Sequence, residues 1–548
     1  MGKLARGIML AGLALNVGLA QNISGERIRA HVRFLASDLL EGRGVGVRGG
    51  DLATEYLATQ LAIAGAKPAG VDNTWFQPVP LVGVQTEAGS QLHAGDLEFK
   101  LLTEFVGTAQ TQLPVQEFEA GAVFVGHGIT APEFNWDDYA GVDVKGKVVV
   151  LFTNEPPSED PKFFGGRALT YFGRWTYKYE QALRRGAAAV LILHTAPTAG
   201  YGWEVVRNSW GREDFAVKRD GAALSFAGWL SQAASERLAA AAGKSVDELS
   251  RLADTRGFRA FPLNMNIGGR IQSKIREIGT RNVAGMVRGS DPALSAETVI
   301  YSAHWDHLGS TPNLAGDGIY NGAVDNATGC AMLLEMARSW AEAKVKPRRS
   351  ALFIFMAAEE SGLRGAEYYV TKPLVPLAKT SLVLNFDSFY PFGRVKDVVL
   401  VGAERTTFWP RIQEVAQRFE LAIAPDPRPE QGSFFRSDHF PFAKAGTPAF
   451  SVNGGATFLA NAEASTAKLK EYGARNYHQA SDEYRDDWDF SNMEYLARFG
   501  AALGQEAANA DQLIRFVEEE RPKVLAATAR KGKSAKYRKI QSRGNKLP

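Results

Sequence analysis

Three apolar runs, residues 298–303, 351–357 and 380–386, are each followed within two residues by groups on which a buried strand ends only at a cost. The first leads into His304-Trp305-Asp306, the second into Glu359-Glu360, the third into Asp387. Continuous apolar runs of this length read as strands buried on both faces. A helical pattern over 330–343 falls between the first two, and such strand–helix alternation argues an α/β sandwich around a central mixed sheet. In open α/β sheets, sites lie at the carboxyl ends of the strands, so residues far apart in sequence converge on one crevice. Carboxylates there are expensive to bury unless they are paired or hold a metal.

The formal charge of +3 carries meaning only once it is located. Residues 521–548 contain ten basic residues and no acidic one, and the first twenty add Lys3 and Arg6. The 51 basic and 60 acidic residues that remain in 21–520 give this body a charge of −9. That excludes a nucleic-acid-binding reading of the folded part. Lys3 and Arg6 precede an apolar run from Ile8 to Ala20, the pattern of a signal peptide cleaved after Ala20, and predict a periplasmic or secreted protein. The run is shorter than the roughly 20 residues needed to span a bilayer, so no stable membrane anchor is expected. The tail 519–548 is expected to be disordered and to contact an anionic surface. A single cysteine, Cys330, allows no intrachain disulfide and reads as a buried small hydrophobe.

The remaining organisation follows from periodicity. Helical spacing predicts helices over 28–40 and 53–64. Gly44-Val45-Gly46-Val47-Arg48-Gly49 matches a dinucleotide fingerprint by letter but follows a helix, so it is read as a flexible loop. Residues 85–280 change to short apolar runs separated by turn residues, with strands expected at 122–125, 148–152 and 189–193 and one helix at 177–185. A final helix is expected over about 491–516. The resulting division is a signal peptide 1–20, a first part of the catalytic domain 21–84, an insert 85–280, the catalytic domain 281–518 and the tail.

His304, Asp325, Glu359, Glu360, Asp387 and His478 form the candidate site. Two histidines and three carboxylates make a mixed nitrogen and oxygen set suited to zinc, with manganese or cobalt as substitutes. Five ligands exceed what one catalytic zinc takes and suit two ions sharing one bridging carboxylate. Asp306 lies two residues from His304, on the same strand face, and can accept its second imidazole proton. One of the pair Glu359-Glu360 would ligate while the other moves a proton. His307 is an undecided candidate, and His31, His93, His127 and His194 are read as structural.

Residues 300–325, Phe355 to Glu367, Asn385-Phe386-Asp387, Ser437 to Phe442 and Tyr477-His478-Gln479-Ala480-Ser481-Asp482 resemble, in order and spacing, the motifs of the di-zinc exopeptidases. That family contains bacterial aminopeptidases and glutamate carboxypeptidase. Gly126-His127-Gly128-Ile129 and residues 137–147 are similar to the protease-associated domain inserted in many members. The resemblance implies a three-layer exopeptidase sandwich with a central mixed sheet and an inserted β-rich protease-associated domain. It further implies one zinc on His304 and Asp387, a second on Glu360 and His478, and Asp325 bridging them. Glu359 would then be the general base, Asp306 would orient His304, and Tyr477 would help stabilise the oxyanion. It also implies a cis peptide after Asp325. The expected activity is aminopeptidase cleavage of a peptide substrate. A carboxypeptidase, which would need an arginine such as Arg364 or Arg436, and a non-catalytic receptor-like protein remain open from the sequence.

Overall fold

The computed structural model describes residues 22–199, 202–311 and 316–517. The expected signal peptide and basic tail lie outside them. Among the described residues no helix is long and apolar enough to cross a membrane.

Fifteen described strands join in one mixed sheet. In one half, Ala449–Ser451, Thr380–Asn385, Thr298–His304 and Ser350–Met356 lie side by side and parallel. Every residue of Thr298–His304, Ser350–Met356 and Thr380–Asn385 is buried, as the largely apolar runs predict. Helices cover both faces. Gly25–Leu35, Thr328–Glu342 and Ser491–Asn509 pack on one face, and Arg364–Thr371 with His439–Lys444 on the other. Ser24 caps the first of these helices, its side chain accepting the Arg27 N–H.

The other half is ordered Val115–Phe124, Val148–Phe152, Ala189–Leu193, Phe226–Leu230 and Phe105–Thr108. The helix expected at 177–185 runs Trp175–Arg184, and helices Trp203–Trp210, Gln232–Ala241 and Val246–Ala253 accompany it. Two apolar clusters of its own fill the spaces on either side of these strands. One strand, Phe261–Val287, joins the halves. It pairs antiparallel with Val115–Phe124 at its start, with Phe76–Thr86 along its middle and with Ser350–Met356 at its end.

Three local expectations fail. The helix expected over 28–40 ends at Leu35 and gives way to a 3-10 turn at Asp38–Arg43. Two others fail for tertiary reasons. The last helix stops at Asn509, not 516. The Arg349 guanidinium captures the carbonyls of Ala508 and Ala510, and the chain leaves extended so that Ile514 is buried. The glycine-rich segment 44–49 is packed, not loose. Gly44 and Val45 are buried, and helix Arg48–Ile63 already begins at Arg48. A side chain at Gly50 would meet the Gly44 carbonyl at 2.3 Å and the Trp305 ring at 3.0 Å, so glycine here permits close approach.

Candidate metal centre

The parallel strands deliver their carboxyl ends to one crevice. Thr298–His304 and Ser350–Met356 run in register, with His304 opposite Met356, so Glu359 follows three residues beyond that edge. Ser302 pairs with Asn385, so two residues further on Asp387 comes level with His304 at the same edge. Asp325 arrives from a loop before helix Thr328–Glu342, and the Asp325–Asn326 peptide is cis. Both carboxylate oxygens of Asp482 hold that loop, accepting the N–H groups of Val324 at 2.8 Å and Asp325 at 3.1 Å.

Around Asp325 the donors divide. His304 Nε2 lies 3.1 Å from its Oδ1 and 3.4 Å from Asp387 Oδ1. His478 Nε2 lies 3.3 Å from its Oδ2 and 3.1 Å from Glu360 Oε2. The two oxygens of one carboxylate therefore face two different histidine–carboxylate pairs. His307 Nδ1 is 2.7 Å from the other Glu360 oxygen, which ties the undecided His307 to the cluster. Donor atoms of His304, Asp325 and Asp387 lie within 4.8 Å of one another, as do those of His307, Asp325 and Glu360. This mixed imidazole and carboxylate set fits zinc.

Asp306 works differently from the sequence reading. His304 Nδ1 lies 3.1 Å from the Asp306 backbone oxygen and 3.9 Å from its carboxylate. The carboxylate instead accepts the N–H of Glu359 at 3.1 Å and of Glu360 at 3.4 Å. Asp306 thus links the histidine strand to the acidic pair, and its burial pushes its carboxyl up to about 6.

The electrostatics are those of a cluster with too many negative charges for its own cations. Burial, only partly offset by His304, pushes the Glu359 carboxyl well above the usual range. Burial would also raise Glu360, but His478 and His307 hold it down to about 2. Burial opposes protonation of His478, yet Glu360 and Asp325 raise it to about 10. Tyr477 stacks on the His478 ring at 3.9 Å; it is 52% exposed, and partial desolvation at the cavity wall together with the site carboxylates keeps its phenol protonated.

Other site residues carried no role in the sequence reading. Ser437 Oγ donates to Asp387 Oδ2 at 2.6 Å and accepts from Asn385 at 2.7 Å. The carboxylate oxygens of Asp438 are buried and find no hydrogen-bond partner among the described residues. Arg43 is buried and donates to the carbonyls of Trp305, Leu35, Asn321 and Gly322. Ser437 and Asp482 stand inside the motifs quoted above, so spacing could have raised them. A lone arginine before a glycine-rich stretch gives no such signal.

A cavity of about 680 Å³ opens onto Asp325, Glu359, Glu360, Asp387 and His478. Tyr171, Trp175 and Glu180, from the other half of the sheet, line it too. A larger cavity of about 980 Å³ beside Trp409 and Leu421 is lined by none of these residues.

Comparison with known proteins agrees with this geometry. Residues 282–501 match the model of peptidase family M28. Leupeptin-inactivating enzyme 1 of Streptomyces exfoliatus is 28% identical over 225 residues, 37% of this chain and 48% of that one. A probable leucine aminopeptidase 2 of Aspergillus oryzae is 32% identical over 118 residues, 21% of each chain. The chain thus spans less than half the length of the curated relatives it matches. The solved aminopeptidase from Aneurinibacillus sp. strain AM-1 shares the fold, with a TM-score of 0.51, 18% identity and coverage of 91% of this chain and 97% of that one.

Proposed function

We propose, from the match of residues 282–501 to the model of peptidase family M28, that the protein is an exported zinc aminopeptidase that releases N-terminal residues from peptides. The observation that carries this reading is the division of Asp325, one oxygen facing His304 and the other facing His478. His304 and Asp387 would hold one zinc, Glu360 and His478 the second, and Asp325 both. When bound, the zinc ions supply Lewis-acid polarisation of the scissile carbonyl and lower the pKa of water.

The chain's own residues do the rest. Glu359, on the cavity wall and raised by burial, takes a proton from the attacking water and hands it to the departing amine. Asp306 fixes the backbone of Glu359 and Glu360, so the base and its neighbouring ligand keep one spacing. Tyr477, protonated beside His478, offers an O–H donor where negative charge develops on the carbonyl oxygen. The body built on residues 85–280, which we read as a protease-associated insert, walls one side of the substrate cavity.

Glu359→Gln keeps size and hydrogen bonding but cannot hold the proton. Hydrolysis of aminoacyl substrates should fall by about 100-fold or more. Near wild-type turnover would remove Glu359 from the mechanism. N-blocked and C-blocked dipeptides distinguish an aminopeptidase from a carboxypeptidase, and purified protein devoid of zinc would favour a non-catalytic binding role.

A further inference from the structure

Four cations line the cavity that reaches the candidate ligands, Arg174, Arg364, Arg436 and Lys444. Outside the ligands and Glu359, two carboxylates face them, Glu180 and Glu367. Both are engaged. Lys444 Nζ lies 2.5 Å from Glu180, and Arg364 lies 3.0 Å from Glu367 while donating to the Phe215 carbonyl at 2.7 Å. Arg436 differs. It is exposed, and among the described residues its guanidinium makes no ion pair or hydrogen bond. Its position is nevertheless set, because its own N–H donates to the Ser433 carbonyl and the next residue, Ser437, is anchored on Asp387.

We propose that Arg436 binds a carboxylate carried one residue beyond the scissile bond, so that the peptidase prefers dipeptides or peptides with an acidic second residue. The proposal rests on the aminopeptidase reading. In that reading the substrate's N-terminal ammonium belongs among the site carboxylates, and a guanidinium repels it. The carboxylate of the departing side is then the group that Arg436 can receive. A guanidinium presents a planar fork that matches a carboxylate with two parallel hydrogen bonds. Two sources share this chemistry, the free C-terminus of a dipeptide and an aspartate or glutamate side chain.

Leu-Ala, Leu-Ala-amide and Leu-Asp-amide separate the sources when assayed with the full-length zinc-loaded enzyme and with Arg436→Gln and Arg436→Lys. Wild type should prefer Leu-Ala, Leu-Asp-amide or both over Leu-Ala-amide, and the favoured substrate names the source. In Arg436→Gln that preference should collapse by about tenfold, carried by KM and not kcat, as expected for loss of a charge-assisted pair. Arg436→Lys should retain part of it. Equal kcat/KM for all three substrates in wild type, or an undiminished preference in Arg436→Gln, overturns the proposal while leaving the aminopeptidase reading intact. Failure of wild type to cleave any of the three overturns both.

Discussion

Replacing Arg43 by methionine tests whether the strand ends that carry the candidate ligands are held from behind. Arg43 is 1% exposed and donates to four carbonyls, of Trp305 at 2.8 Å, Leu35 at 2.5 Å, Asn321 at 2.6 Å and Gly322 at 2.9 Å. Trp305 stands between His304 and Asp306, and Gly322 lies three residues before Asp325, so one side chain ties together two ligand-bearing segments and the first helix. Each charge-assisted bond is worth about 1.5–3 kcal/mol, which bounds the loss from above. Removing the arginine also relieves the burial of a charge, a cost of several kcal/mol. The expected net destabilisation is about 3–5 kcal/mol, since four buried carbonyls lose their donor at about 1–3 kcal/mol each while relief of the buried charge returns part of that. Urea unfolding should show a lower midpoint at an unchanged slope, and zinc affinity measured by chelator competition should fall with it. Arg43→Lys keeps the charge but gathers its donors on one atom, and should lie between the two. A methionine variant within about 1 kcal/mol of wild type would refute the reasoning, because four stranded carbonyls cannot cost so little unless water reaches them.

Other predictions concern separate parts of the molecule. Ser437→Ala removes the donor to Asp387, and loss of such an outer hydrogen bond should cost about 10–100-fold in zinc affinity. Unchanged affinity by chelator competition would show that Asp387 needs no such support. Burial lowers His31 to about 4 from 6.5, so the folded state favours the neutral ring. Its contribution to stability is complete above pH 6.5 and is lost as the pH falls through about 4. That difference amounts to about 3 kcal/mol at most. Between pH 7 and 4.5, wild type should therefore lose more stability in urea melts than His31→Gln, and parallel losses would contradict this.

What the sequence made legible was whatever depended on local pattern. The strands ending at His304, Met356 and Asn385 were readable because burial on both faces leaves them mostly apolar, with few and small polar residues such as Ser302 and Ser381. Their end residues were readable because a carboxylate beyond an apolar run demands a partner. Asp306 was found but its contact was misassigned, since strand-face periodicity stops where the extended chain stops, at His304. The arginine clamp was invisible, for its acceptors are backbone carbonyls up to 279 residues away. Segment 44–49 misled because glycine has two uses, conformational freedom and close approach, and both occur here, Gly46 at positive φ and Gly49 against the Leu40 carbonyl. The share of the cavity wall given by Tyr171, Trp175 and Glu180 likewise follows from packing between distant segments, which no local spacing encodes.

The strand Phe261–Val287 has a mechanical consequence. Its 27 residues amount to about 90 Å of chain at about 3.3 Å per residue, and its two ends are hydrogen-bonded into different halves of the sheet. Two bodies strung on one continuous beam have no loose joint in that connection at which to swing. The wall that Tyr171 and Glu180 give to the cavity beside the candidate ligands is therefore set in place during folding, as masonry is. Transplanting another protein's insert onto this scaffold would mean splicing through the beam itself, with its register preserved on both sides of the cut.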